Sequence, residues 1–189
     1  GGATLVVAAL LARRLGGGKA AQIIAALAVA AVPVVMVLFG FYSMNGFEIL
    51  LWALAAYVAT GIFTDSRERD WLLFGLLMGL ALQNKHTIVL FAGGLVLGLL
   101  LHRRRTFANR HLWLGGLIAA VIFLPNLLWE IRYGWPTVEF YANATLFKNI
   151  ARGPVDYILQ QILSYNPVLF LLWLIGLFYL LGRRDVRPL

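Results

Sequence analysis

The sequence contains no cysteine. That excludes a disulfide framework, a thiol nucleophile and a cysteine-ligated zinc site. Charge is also scarce: Asp, Glu, Lys and Arg make up 13% of the 189 residues, where a soluble domain carries about 25%. Acids are the scarcer sign, eight against sixteen basic residues, and proline occurs only six times. Position 1 is Gly, inside an apolar run. The chain is therefore read as part of a longer one, truncated at its N-terminus.

What is abundant is apolar. Hydrophobic residues make up 61%, and the mean hydropathy is +0.83. Nineteen glycines accompany them, which membrane helices tolerate well. This is the composition of an integral membrane protein. A spanning helix needs about 20 apolar residues, with a range of about 17–25. Candidates cover 1–12, 20–38, 47–63, 71–83, 87–101, 112–129 and 162–181. Runs this long must satisfy their backbone internally, so helices are expected rather than strands. The expected fold class is an all-α polytopic transmembrane bundle of about six to seven spans. It forms a single domain over 1–189, with 130–161 as an outer loop.

Seven segments send alternate loops to opposite sides. One side receives Arg13, Arg14, Lys19, Arg67, Arg69, Arg103, Arg104, Arg105, Arg110, Arg183, Arg184 and Arg187; the other receives Lys85, Arg132, Lys148 and Arg152. The acids divide evenly: Asp65, Glu68, Asp70 and Asp185 against Glu48, Glu130, Glu139 and Asp156. The whole net charge of +8 thus falls on one face, cytoplasmic by the positive-inside rule. Nucleic acid is not needed to explain the basic balance.

Residues 72–101 carry Gln83-Asn84-Lys85-His86-Thr87 in the middle of an apolar run. One helix over 71–101 would be about 46 Å long at 1.5 Å per residue, too long for a ~30 Å hydrocarbon core. Two short helices with an outer turn at 83–87 keep both flanking basic loops on one side. Gly75-x-x-x-Gly79 and Gly94-x-x-x-Gly98 lie one on each arm, and small residues at that spacing let helices approach closely. They predict a tightly packed hairpin.

The outer loop is patterned. Val138, Phe140, Tyr141, Leu146, Phe147 and Ile150 predict an interfacial helix. Pro154 followed by Asp156 predicts a second helix start, with Ile158, Leu159, Ile162 and Leu163 as its apolar stripe. Trp129, Tyr133 and Trp135 form an aromatic girdle at the same level.

Polar residues that can carry chemistry gather on the outer side. Glu48 opens the 47–63 helix just after Tyr42-Ser43-Met44-Asn45, Lys85 and His86 cap the hairpin, and Glu130 and Arg132 follow the 112–129 helix. A carboxylate near a helix start is favoured by the macrodipole alone, and a lysine at a helix end can snorkel to the interface. Lysine is equally a point charge for phosphate. His102 and His111 sit among arginines and read as solvated. "LGGGKAA" lacks the spacing and the hydroxyl of a phosphate-binding loop. Asn143-Ala144-Thr145 fits a glycosylation pattern too short to weigh. No cofactor is implied, and no ligand cluster supports a metal.

In order along the chain stand "ALLARRLGGGKAAQIIAALAVAAVP", "FYSMNGFEILLWALAAY", "GLLMGLALQNKHTIVL", "FLPNLLWEIRYGWPTVEFYAN" and "LSYNPVLFLLWLIGLFYLL". This series resembles bacterial family 39 glycosyltransferases, the protein-mannosyltransferase-like and aminoarabinose-transferase-like enzymes of the GT-C class. The resemblance implies a multi-spanning enzyme of the bacterial inner membrane. Such an enzyme takes a sugar from a polyprenyl-phosphate donor and transfers it, on the periplasmic face, to a lipid, protein or glycan acceptor. It implies an auxiliary role for Glu48, where many relatives have Asp, and a donor-phosphate contact for Lys85, in "Q-N-K" where relatives have "L-T-K". Asn84, His86, Tyr42 and Asn45 are the other expected substrate-binding residues. The family's principal catalytic Asp belongs to a first outer loop that would precede Gly1, so the 189 residues alone are expected to be inactive. The competing class is a transporter or flippase for lipid-linked sugars, which would favour polar groups near the midplane on several helices. A structural membrane subunit would need neither Lys85 nor Glu48.

Overall fold

A computed structural model describes residues 1–147 and 153–182. Lys148, Ile150, Arg152, Arg183, Arg184, Asp185 and Arg187, which figured in the charge map and the loop pattern, lie outside the described residues. The described chain is all-helical. It runs α1 (Gly2–Arg14), α2 (Lys19–Ala30), α3 (Pro33–Phe39), α4 (Met44–Thr64), α5 (Asp70–Asn84), α6 (Ile88–His102), a 3₁₀ turn (Arg104–Ala108), α7 (Arg110–Arg132), α8 (Pro136–Phe147), α9 (Pro154–Tyr165) and α10 (Pro167–Gly182). The all-α membrane bundle expected from the sequence is what forms.

The helices are less regular than expected. Among the described residues, by length and composition, α4 and α7 alone can each cross a bilayer as a single helix, with up to four spans if each bent pair counts as one. The expected 20–38 span is broken between α2 and α3 by 68°. Pro33 cannot donate a backbone hydrogen bond, and Val32 before it takes extended angles (φ −77°, ψ 114°), as a residue before proline prefers. The expected 162–181 span is likewise two helices, bent by 104°. Asn166 sits at φ 75° before Pro167, and its side-chain oxygen accepts from the Val168 N–H at 3.0 Å. The first break does not show in hydropathy, because both of its flanks are apolar; at the second, α9 carries Asp156, Gln160 and Gln161 and is the more polar partner. Helices α1, α5 and α6, with 13, 15 and 15 residues, are shorter than a full crossing.

Helix α5 is the centre. It packs between α4 and α7, while α1 packs on both α2 and α4. Ala55, Val58 and Ile62 of α4 meet Trp71, Phe74 and Met78 of α5 in the core. The ring series Phe63–Trp71–Phe74–Phe91 runs through it at centroid spacings of 6.0, 5.6 and 6.2 Å. Elsewhere apolar side chains face outward, as in Leu90 and Leu117, which suits a lipid surround.

The glycine pairs correct the hairpin expectation. Gly75 and Gly79 do not face α6. A Cβ on Gly75 would lie 2.1 Å from the Gly115 carbonyl oxygen of α7, and one on Gly79 would lie 2.8 Å from Ile122. Gly115 in turn abuts the Trp71 carbonyl oxygen, at 2.2 Å from its own Cβ position. On the other arm, Gly94 and Gly98 have nothing within 4 Å. Close backbone approach therefore joins α5 to α7, and α6 leans on the core through Ile88 and Leu99.

The two ends differ in charge. At one, Arg14 donates to the Tyr57 carbonyl oxygen at 2.7 Å and pairs with Asp65 at 3.4 Å, where Arg67 also pairs. Arg103 lies over the Phe63 ring at the same end. At the other end Phe39 meets Gly1 and Gly46, and the 83–87 turn meets the start of α4. Among the described residues, Arg14, Arg67 and Arg103 thus share one end, and the 83–87 turn lies at the other. Gly75→Ala is expected to destabilise the bundle by about 1–3 kcal/mol through overpacking, whereas Gly94→Ala should stay within about 0.5 kcal/mol of the parent. Thermal unfolding in detergent distinguishes them; equal effects at the two positions would contradict this packing.

Candidate functional site

The site forms where α4 begins and α5 ends. Asn45 and Glu48 are three residues apart in α4, so they share a helix face. Helix α5 stops at Asn84 because Lys85 takes extended angles (φ −164°, ψ 133°). That break lets its side chain turn to α4. Lys85 Nζ donates to Glu48 Oε2 at 2.8 Å and to Asn45 Oδ1 at 3.1 Å. The Thr87 hydroxyl donates to the other carboxylate oxygen, Glu48 Oε1. The Asn84 amide donates to the Met44 carbonyl oxygen at 2.9 Å, one of the backbone contacts that lock the turn to α4.

The ion pair is largely shielded, with 29% of the Lys85 side chain and 19% of the Glu48 side chain exposed. Taking both charges out of water is costly, and each is stabilised only while the partner and the remaining polar contacts are present. Here Asn45 and Thr87 supply those contacts. The result is a nearly neutral cluster with a cation at its centre. An anion entering it can compete with Glu48 for the ammonium.

A second arm of the turn points to α7. His86 Nε2 lies 3.4 Å from Asn126 Oδ1, and its ring meets Phe123 edge-on at 5.5 Å. The Gln83 amide donates to the Ile122 carbonyl oxygen at 2.5 Å. Pro125 lies inside α7, and its missing N–H leaves the Val121 carbonyl without its helical donor, one residue before the carbonyl that Gln83 reaches.

Of the residues expected from the sequence, Asn45, Glu48, Asn84 and Lys85 converge. His86 belongs to the same turn but engages α7. Tyr42 stands apart: it is 93% exposed and meets Phe47 edge-on at 5.5 Å. Sequence reasoning missed Thr87, Asn126 and Trp52. Thr87 sits two residues from Lys85, but its reach to Glu48 needs the fold. Trp52 lies four residues beyond Glu48 on the same helix face. Its indole N–H is buried without a hydrogen-bond partner, as is the Ser43 hydroxyl. Such groups cost about 1–3 kcal/mol when unpaired, so both are donors or acceptors in search of a partner beside the cluster.

Glu130 has a different task. It is 3% exposed, and its carboxylate accepts from the Thr137 N–H at 3.2 Å and from the Thr137 hydroxyl. Gly134 (φ 75°) and Trp135 (φ 65°) turn the chain, and the Trp135 N–H closes onto the Glu130 carbonyl oxygen at 2.8 Å. Glu130 thereby caps the first turn of α8 and fixes the angle at which α8 leaves α7.

Residues 1–129, which carry the whole Asn45–Glu48–Lys85–Thr87 cluster, match the family described as dolichyl-phosphate-mannose-protein mannosyltransferase. The chain belongs to this family. The family resemblance read from the sequence is borne out. Another protein similar to the chain is the lipid A galacturonosyltransferase RgtD of Rhizobium johnstonii, 26% identical over 152 residues, which are 78% of this chain and 32% of that protein. The chain spans about a third of that relative's length. No solved structure matches. Within this family segment, the α4–α5 cluster brings charged side chains from two elements together in a shielded setting.

Proposed function

We propose that this chain forms part of a glycosyltransferase that moves a sugar from a polyprenyl-phosphate carrier to a hydroxyl acceptor, on the periplasmic side of a bacterial inner membrane. The observation that carries the reading is Lys85, ion-paired to Glu48 at 2.8 Å at the end of the bundle opposite Arg14, Arg67 and Arg103. A relative named for lipid A galacturonosyl transfer supports a glycolipid as acceptor. Family membership supports transfer in preference to transport, and so does the clustering of polar groups at one end.

The chemistry asked of the cluster is limited and specific. The acceptor oxygen attacks the anomeric carbon, and the bond from that carbon to the carrier phosphate oxygen breaks. The electron pair leaves with the phosphate, which gains one negative charge. A positioned cation stabilises that developing charge more than it stabilises the donor. Lys85 is placed to do this, with its ammonium held by Glu48 and Asn45. Both Glu48 oxygens already accept hydrogen bonds, so Glu48 is read as a positioning residue, and the acceptor proton goes to a different carboxylate. Trp52 and Ser43 offer unpaired groups to a bound headgroup.

In the enzyme assayed in its membrane, Lys85→Met is expected to weaken donor binding while expression and folding stay intact. Glu48→Gln should lower kcat more than tenfold, about 1.4 kcal/mol in transition-state terms, with a smaller change in KM. Steady-state kinetics with varied donor checks both; donor affinity unchanged in Lys85→Met would leave the lysine a snorkelling residue.

Sidedness has its own test. The parent is cysteine-free, so single cysteines report cleanly. Ala142→Cys, on α8, should react with an impermeant reagent added outside intact cells, and Ala108→Cys, beside the basic loop, should react only after lysis. The reverse pattern would invert the topology.

A further inference from the structure

Helices α4 and α6 enclose a groove of about 440 Å³ that the polar cluster does not use. Ala56, Ala59 and Thr60 form one wall, and Gly94, Leu95 and Gly98 the other. Its interior is apolar in effect, since the Thr60 hydroxyl is already donated to the Ala56 carbonyl oxygen at 2.8 Å. Space is left at the glycines, where an added Cβ would meet nothing within 4 Å.

The groove has a closed end and a charged end. Phe91 lines it and packs edge-on against Trp52 at 5.7 Å, which stops it short of the Lys85 cluster. His102 and Phe63 line the opposite mouth, and the Arg103 guanidinium lies 5.3 Å over the Phe63 ring. Arg104 and Arg105 follow directly. Three described acids share this end: Asp65 is already engaged by Arg14 and Arg67, and neither Glu68 nor Asp70 forms a salt bridge with Arg103. Among the described residues no salt bridge reaches Arg103.

Length and charge together point to the occupant. From Leu90 to His102 the groove follows twelve residues of α6, about 18 Å at 1.5 Å per residue. That is close to half of a ~30 Å hydrocarbon core, the depth of one leaflet. A lipid chain needs only one leaflet and brings its headgroup to the mouth. Arginine at that mouth complements a phosphate, as basic pockets between membrane helices do.

We propose that an anionic phospholipid of the leaflet meeting the basic end, cytoplasmic in the topology above, seats one acyl chain in the α4–α6 groove. Its phosphate rests on Arg103, with His102 beside it. The site is separate from the Lys85 cluster, and the inference holds whichever sugar is transferred.

Quenching of Trp52 fluorescence by lipids brominated on the acyl chain tests this in phosphatidylcholine vesicles. Brominated phosphatidylglycerol should quench more than brominated phosphatidylcholine at equal mole fraction, and Trp52→Phe should abolish the excess. Arg103→Gln should weaken the phosphatidylglycerol preference about fivefold, Arg103→Lys should largely keep it, and Gly98→Leu should remove it by filling the groove. Circular dichroism and gel filtration verify that each variant is folded. Equal quenching by the two lipids overturns the proposal, as does a preference unmoved by Arg103→Gln in a folded protein. Quenching by neither lipid, with a dimer on gel filtration, would assign the groove to a second copy and overturn it as well.

Discussion

The end of the molecule opposite Arg14 is organised around one ion pair held out of bulk water. Lys85 and Glu48 come from different helices and lie 37 residues apart in the chain. Neither is stable there alone, because an unpaired charge in a low-dielectric setting costs several kcal/mol. Pairing therefore fixes how the α5–α6 turn sits on α4. It also explains the polar company. Asn45 and Thr87 take up the hydrogen-bonding capacity that the pair leaves over, and Asn84 ties the turn to the backbone of Met44.

The pair stays in place because α5 is immobilised along its length. Gly75 and Gly115 bring α5 and α7 into backbone contact, and aromatic packing holds α5 to α4. Helix α6 is joined to the same turn but packs on only part of the core. The same arrangement thus yields a rigid polar apex and, below it, an open groove. At the far end Arg14 is threaded against α4 beside Gly61. A Cβ on Gly61 would lie 2.5 Å from the guanidinium, so this glycine makes room for the cation. Basic loops and polar apex are held a bundle's length apart.

Much of this was legible in the sequence. Apolar runs announce helices, the distribution of arginine announces the two ends, and five polar residues in a greasy run announce a turn. Glu48 and Lys85 stood out because ionisable residues are rare in such a chain. Their direct contact did not, since spacing along one helix says nothing of the face a second helix presents. The partner of Gly75 and Gly79 was misread for the same reason: small residues promise close approach to some helix, and α7 rather than α6 supplies it. The breaks at Val32–Pro33 and Asn166–Pro167 were hidden because a hydropathy window averages over them. Glu130 looked like one more outer acid, yet Thr137, seven residues on, makes it a helix cap.

The central claim is that the Lys85 ammonium is where carrier phosphate binds. Only three lysines occur in the chain, at 19, 85 and 148, so ¹⁵N-lysine solid-state NMR of the protein in liposomes can resolve them. On adding a polyprenyl phosphate, the Lys85 Nζ resonance should shift as the phosphate displaces Glu48, while that of Lys19 at the basic end stays in place. A Lys85 resonance unmoved at saturating polyprenyl phosphate would contradict the account.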